Sequence, residues 1–527
     1  MPAGKPRILV LGAGVMQGPA LRIAAEMGLE AVAADADAGA PCAPFAARFE
    51  QVDLKDRQGI EALGRTLMDQ GGLSGIMTAG TDFSASVAWA AEKIGLPGIP
   101  YEAALDASDK ERMRRRFAAA GIPSPQFVIM RSPPADGGVL PFSLPVVVKP
   151  VDNMGSRGCR RVDDAGELTS AVAVALKFSR SGRAIVEEYM EGPEFSVDAL
   201  VHEGEINICG IADRHIFFSP YFIEMGHTMP SAEAPAVIDS LLETFALGVR
   251  ALGITNGAAK GDIKLTSRGP MIGEIAARLS GGYMSGWTYP YASGVLPTRG
   301  AIEIAMGKTP SRIRPEWDWV SAERAFISIP GNVRLIEGIE KAKVMPFVKD
   351  VFVRAKPGSA VSFPENNVTK CGNIISAAAA RQEAARSAEN AARSILIRLS
   401  APNDATQAFL AAEPGAAGFP PDAFPLDSRL LARLAALPDG VNGGTVGSVI
   451  GGAECRLAPF PEFVESGLTD YMGRTVQESL DAARHLTGME LPIGEPSVLG
   501  RAFWRAFVRG GYQGAAYYID SLGVADA

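Results

Sequence analysis

Asp262 and Glu274 stand twelve residues apart within NGAAKGDIKLTSRGPMIGEIAARLSGG (256–282), each set in a short alternating apolar run. Ser267-Arg268-Gly269-Pro270 lies between the runs. Alternation on both sides of a Gly-Pro turn signal predicts a hairpin, which would bring the two carboxylates to neighbouring positions at one sheet end. Lys260, Lys264 and Arg278 add cations beside them. Such a set suits a nucleotide–metal site, because Mg²⁺ takes one or two protein carboxylates and completes its shell with water and phosphate oxygens. The same spacing also describes a charged hairpin on a solvated face. Spacing alone does not separate the two readings.

Other residues of the same chemical type lie upstream. Leu144-Pro-Val-Val-Val-Lys149-Pro150 reads as a strand carrying a lysine near its end, followed by the turn Asp152-Asn-Met-Gly155-Ser156-Arg157-Gly158. Such a loop can aim backbone N–H groups at phosphate oxygens while the lysine supplies a point charge, or it can be a plain hairpin turn. It is not the GxxxxGK[ST] loop, since the lysine precedes the glycines. DKERMRRRFAAA (109–120) reads as a basic helix stopped by Gly121, Pro123 and Pro125, with most of its arginines on a solvated face. Glu187, Glu188 and Glu194 crowd AIVEEYMEGPEFSVDAL, where apolar flanks imply an ordered element with carboxylates open to a ribose or an amine.

The elements that must position these residues begin with an apolar strand at 7–12 and the turn Gly12-Ala-Gly14-Val-Met-Gln-Gly18. Its third glycine is one position late for GxGxxG, so the turn serves close helix–strand approach more readily than NAD binding. Strand–helix alternation continues to about 104, which predicts a small doubly wound domain. A length of 527 residues fits three or four domains of roughly 100–200 residues each. The charge of -8 argues against a broad nucleic-acid surface. Five scattered cysteines make neither a disulfide framework nor a metal pattern, and the four histidines have no metal spacing. No signal-peptide pattern and no apolar run near the roughly 20 residues of a bilayer span is present, so a cytoplasmic protein with no membrane and no nucleic-acid partner is expected.

The ordered set ASDK (107–110), VVVKP with NMGSRG, VEEYMEGPEFSVDAL, and GDIKL…GPMIGEIAARLSGG resembles the ATP-grasp superfamily over roughly residues 1–398. Within it, the chain is similar to L-amino-acid ligases and other carboxylate–amine ligases, to biotin carboxylase, and to the ATP-grasp regions of the carbamoyl-phosphate synthase large subunit. The resemblance implies an α/β and α+β protein. A Rossmann-like domain (1–104) would lead into a two-lobed ATP-grasp core (105–324) with a lid subdomain at about 125–190. A C-terminal subdomain (325–400), a linker (401–425) and an extension of unassigned role (426–527) would follow.

By the same resemblance, Lys110 and Lys149 would touch the phosphates of ATP, covered by a loop containing Gly155, Ser156, Arg157 and Gly158. Glu187 would receive the adenine amino group, Glu188, Tyr189 and Met190 would form the adenine hinge, and Glu194 would hold the ribose. Asp262 and Glu274 would bind Mg²⁺, with Mn²⁺ as an alternative ion. Lys264 and Arg278 would stand near the transferred phosphoryl group or the substrate carboxylate. Many family members carry Asn two positions after the second metal carboxylate; here it is Ala276, which leaves the metal number open.

The implied reaction joins a small carboxylic acid to an amine or amino acid through an acyl phosphate, releasing ADP and phosphate. It needs positioning and charge neutralisation more than a protein nucleophile. That agrees with a sequence lacking a nucleophile elbow or an activated-cysteine motif. Activation of bicarbonate or formate, or a weakened nucleotide-binding regulator, are the alternatives. A homodimer is among the assemblies the sequence allows. The aromatic tract 215–227 could line an acceptor pocket or fill a core, and the tract 281–291 is a second candidate wall of that pocket.

Overall fold

The computed structural model describes residues 5–135, 139–416, 418–437, 460–488 and 500–522. The glycine-rich stretch 443–452 and Cys455 lie outside them. The chain divides into two compact units: Met1–Phe217 with Gly226–Glu323 and Ala377–Ala385, and Phe218–Met225 with Arg324–Ser376 and Arg386–Ala527.

The first unit opens with β1 (Arg7–Leu11), α1 (Gly18–Glu26), β2 (Glu30–Asp35), β3 (Arg48–Gln51), α2 (Arg57–Asp69), β4 (Gly75–Thr78) and α3 (Ser84–Ile94). The strands form a parallel sheet in the order β3-β2-β1-β4. Alternate residues feed two cores, Ile8, Val10, Ala31 and Ala33 on one side and Leu9, Leu11, Val32 and Ala34 on the other. This is why β1 from Ile8 to Leu11 and β2 from Ala31 to Ala34 are continuously apolar: a parallel sheet is covered on both faces. At the glycine-rich turn, Asp35 Oδ2 accepts from Ala13 N at 2.8 Å. The carboxylate is thus used to close the turn itself.

Helices α4 (Tyr101–Ser108) and α5 (Lys110–Ala119) lead into a small antiparallel sheet made of β5 (Phe127–Met130), β6 (Val146–Pro150), β7 (Arg160–Val162) and β8 (Ala184–Glu188), in the order β5-β8-β6-β7. Val146, Val148 and Val186 pack with Leu168, Ala171, Val172 and Ala175 of α6 (Leu168–Phe178). The period of two then turns Lys149 and Glu187 to the sheet's other face.

A second antiparallel sheet follows from β9 (Glu194–His202) and β10 (Glu205–Phe217). After β11 (Ile223–Met229) and α7 (Pro235–Ala251) come β12 (Gly257–Thr266) and β13 (Gly269–Ala276), and the ladder runs β13-β12-β9-β10. Its inner face carries Phe195, Val197, Ile263 and Ile275 onto Met113 and Phe117 of α5 and Phe245 of α7. The turn between the two sheets needs Gly192 at φ 135°, because a Cβ there would lie 2.0 Å from Leu265 O.

In the second unit, residues 331–337, 360–361 and 396–399 form a three-stranded sheet. Residues 401–425, expected as a linker, contain a helix at Asp404–Ala411 with Thr406 and Phe409 buried. The extension closes a core of Phe424, Phe463, Phe503, Trp504 and Phe507, with Leu335 and Leu396 packed against it. Part of the aromatic tract 215–227 also belongs to this unit. Phe218 meets Phe363 edge to face at 5.1 Å, and Tyr221 meets Phe419 at 4.6 Å. These rings fill an aromatic cluster.

Candidate active site

The hairpin forms with a turn tighter than the sequence implied. Thr266 pairs with Gly269, leaving Ser267 and Arg268 as the two turn residues, and Asp262 falls opposite Glu274. Directly opposed residues share a face. Three cross-strand rows result on the β9, β12 and β13 strands: Glu194 with Lys264, Ser196 with Asp262 and Glu274, and Asp198 with Lys260 and Ala276. A register shift beside Asp262 leaves Gly273 without a ladder partner. Its carbonyl accepts from Arg114 Nη2 at 2.6 Å, so the bulge provides an anchor for α5.

The cations arrive from two directions. Lys110, 6% exposed at the start of α5, donates from Nζ to Asn153 O at 2.8 Å and lies 3.4 Å from Glu274 Oε1. Lys149 Nζ is 2.7 Å from Glu187 Oε2, and Arg114 Nε donates to Glu187 Oε1 at 2.8 Å. Burial alone would raise the Glu187 pKa, but Arg114 and Lys149 together hold it below its ordinary value. Glu274 follows the same pattern: burial acts upward, Lys110 and Lys149 act downward, and the net shift is down. For Asp262 burial is again outweighed, here by Arg214 and Lys260. Lys110 is shifted up: burial disfavours its charge, while Glu274, Asp82 and Glu187 more than restore it.

Asp262 Oδ1 accepts from Ser196 Oγ at 2.8 Å, lies 3.1 Å from Arg214 Nη1, and is paired with Lys260. Asp198, 1% exposed, accepts from Ser280 Oγ at 2.6 Å. Burial pushes its carboxyl up to about 6, although Ser280 and Lys260 pull the other way.

Several expected roles meet different surroundings. The Glu187 carboxylate is paired with Arg114 and Lys149, so its side chain holds Lys149 in place. Glu188 is paired with Arg268. Lys264, expected near a transferred phosphoryl, lies one row away from Asp262. Its Nζ donates to Met190 O at 3.1 Å, sits 3.7 Å from Glu194 Oε2, and stands 4.9 Å from the Tyr189 ring centroid. It thus meets residues 189 and 190 rather than the two carboxylates Asp262 and Glu274. Arg278 donates from Nη1 to Leu279 O at 2.9 Å and lines a cavity of about 60 Å³ with Thr78, Ser84 and Asn256. No ion pair joins it to Asp262 or Glu274 among the described residues. Glu194 pairs with Arg214.

The loop expected over the phosphates is built on left-handed backbone at Gly155, Ser156 and Gly158. Asn153 Oδ1 accepts from Met154 N at 2.9 Å and Arg157 Nε at 3.0 Å. At Gly158 a Cβ would meet Phe178 at 2.9 Å. Within the second aromatic tract, Tyr289 is wholly buried and its hydroxyl donates to Gly210 O at 3.3 Å, which makes it a core residue.

Arg114 escaped the sequence reading, which treated the arginines of α5 as solvated. The signal was available. Lys110, Met113, Arg114 and Phe117 are the buried residues of α5 and follow the i, i+3, i+4, i+7 stripe of one helix face. Ser196, Asp198 and Arg214 were missed because only strand register assigns them to this surface.

For the Mg²⁺ implied by the fold, Asp262 and Glu274 offer the two carboxylates that such an ion takes from protein. No cluster of three or more His, Cys, Asp or Glu suited to a metal occurs among the described residues. The donor set fits a hard cation that draws its remaining ligands from phosphate and water.

Residues 142–286 match the ATP-grasp domain family, and residues 325–400 match the L-amino acid ligase C-terminal domain 2 family. The protein y4rH of Sinorhizobium fredii is 25% identical over 331 residues, covering 61% of this chain and 68% of that protein. A D-alanine--D-alanine ligase of Marinobacter nauticus is 34% identical over 131 residues, 24% of this chain and 39% of that enzyme. Its match thus spans well under half of the relative's length. The crystal structure of L-amino acid ligase from Bacillus licheniformis superposes with a TM-score of 0.66 at 22% identity, over 76% of this chain and all of that one, which shows a shared fold. Among the described residues no helix is long and apolar enough to cross a membrane.

Proposed function

We propose that this chain, built around an ATP-grasp domain and an L-amino acid ligase C-terminal domain, is an ATP-dependent carboxylate–amine ligase. It would form an amide or dipeptide bond through an acyl phosphate and release ADP and phosphate. The observation that carries this reading is the opposed pair Asp262–Glu274 with Lys110 on Glu274 and Lys149 fixed beside it by Glu187. Two carboxylates flanked by held lysines suit a polyphosphate and its cation, a reaction in which the protein need supply no nucleophile.

In this reading each residue has a positional task. Glu187 and Arg114 lock Lys149 so that its ammonium faces the phosphates without reorganising when charge moves. Lys110 reaches the same place from α5, anchored by Asn153 O. Tyr189, Met190 and Lys264 form the nucleobase end, and Glu194, one residue row beyond Asp262, stands at ribose height. Residues 153–158 cover the phosphates and exclude water. Asp262 and Glu274 would hold a divalent cation, which when bound would supply charge neutralisation at the phosphate oxygens. A carboxylate oxygen of the acid then forms a bond to the γ-phosphorus as the bond to ADP breaks. The amine attacks the activated carbonyl carbon, phosphate leaves, and the amine proton passes to solvent.

The test is a phosphate-release screen over pairs of amino acids and small carboxylic acids with ATP and Mg²⁺, with the products read by mass spectrometry. Release of ADP and phosphate only when acid and amine are both present is expected. AMP and pyrophosphate would reject the acyl-phosphate reading. ADP formation with bicarbonate or formate alone would favour the other acids named above.

A further inference from the structure

The strand ladder places Lys260 opposite Ala276 on one side and opposite Asp198 on the other, on the face that carries Asp262 and Glu274. Its ammonium is paired with Asp262 Oδ1, the oxygen that also receives Ser196 Oγ and lies beside Arg214. We propose that Lys260 restricts this site to a single divalent cation, its ammonium standing where a second ion would sit. The inference rests on the ATP-dependent reading above and specifies the charge arrangement of that same site.

A two-ion site holds its ions roughly 3.5–4 Å apart and shares oxygens between them. Here the Asp262 oxygen on the Lys260 side already has three partners, two of them cationic. A second ion would press against the ammonium and compete for that oxygen. Ala276 contributes only a methyl group, so the opposed position on β13 offers no ligand in exchange. Glu274 differs. Its side chain is one-third exposed, and its ion pair with Lys110 is loose at 3.4 Å. Glu274 and the remaining oxygen of Asp262 would hold one ion, and the fixed charge of Lys260 would take the place of a second.

The full chain is titrated with Mn²⁺ at saturating adenylyl imidodiphosphate, a non-hydrolysable ATP analogue. Bound Mn²⁺ is counted by electron paramagnetic resonance and nucleotide binding is measured by calorimetry. One Mn²⁺ per chain without Mn–Mn dipolar broadening is expected. The Lys260→Ala/Ala276→Asn double variant should bind a second Mn²⁺ and show that broadening. Two coupled ions in the unaltered chain overturn the inference while leaving the ATP reading intact. A double variant that binds nucleotide but still holds one ion overturns it as well. Loss of the ATP reading has its own signature, no nucleotide binding by the unaltered chain, and that outcome removes both.

Discussion

Glu274→Gln is expected to lower kcat by about 10²–10³-fold or more, the range seen when one preorganised charge is taken from a reacting centre. The exchange keeps shape and removes the anion. The amide side chain would still sit opposite Asp262, but it would no longer balance Lys110 or hold a cation against phosphate. Glu274 is one-third exposed on its side chain and 3.4 Å from Lys110, which keeps its bond to Asn153 O, so the cost to folding is smaller than for a fully buried pair. Circular dichroism and the urea midpoint should therefore stay close to those of the unaltered chain while phosphate release collapses. Unchanged turnover would remove Glu274 from the metal site.

Arg114→Met is expected to do the reverse, with a large effect on stability. Arg114 and Glu187 are both essentially buried, at 0% and 3% side-chain exposure. Breaking a buried pair from one side leaves an uncompensated charge and costs about 3–5 kcal/mol. The bond to Gly273 O is lost with it. Urea denaturation should show this loss, and Arg114→Lys should recover only part of it, because an ammonium cannot present the guanidinium fork to both partners. The acid limb gives a second measure. Glu187 has its folded pKa below the ordinary 4.5, so its contribution is fully present above about pH 4.5 and is lost as pH falls through the folded value. Glu187→Gln should flatten that part of the stability curve. An acid limb identical to that of the unaltered chain would show that the buried carboxylate carries no such linkage.

The parts of the molecule legible in the sequence are those set by local periodicity. Alternation around Arg268-Gly269 was enough to oppose Asp262 and Glu274, and the apolar run before Lys149 was enough to place that lysine on a strand. Register errors were small where a turn signal was strong. The two-residue turn at 267–268 replaced a four-residue one without changing which carboxylates meet. Where partners are distant in sequence, local signals say nothing. Glu187 looked available for a ligand because Arg114, 73 positions away, could not be seen beside it. Lys264 was expected beside the transferred phosphoryl group, yet two residues beyond Asp262 along β12 its ammonium meets the Met190 carbonyl. The aromatics at 218 and 221 had no visible partners in sequence because Phe363 and Phe419 lie far along the chain. Helix formation at 404–411 was hidden by the Ala, Pro and Gly content around it.

In the proposed reaction the phosphoryl group moves from ATP to a carboxylate before the amide forms. This step is tested most directly with the acid found in the phosphate-release screen, prepared with ¹⁸O in both carboxylate oxygens. Transfer of one ¹⁸O per turnover into inorganic phosphate, with ADP as the nucleotide product, is the result expected. Phosphate free of ¹⁸O, or label appearing in AMP, would rule out an acyl phosphate.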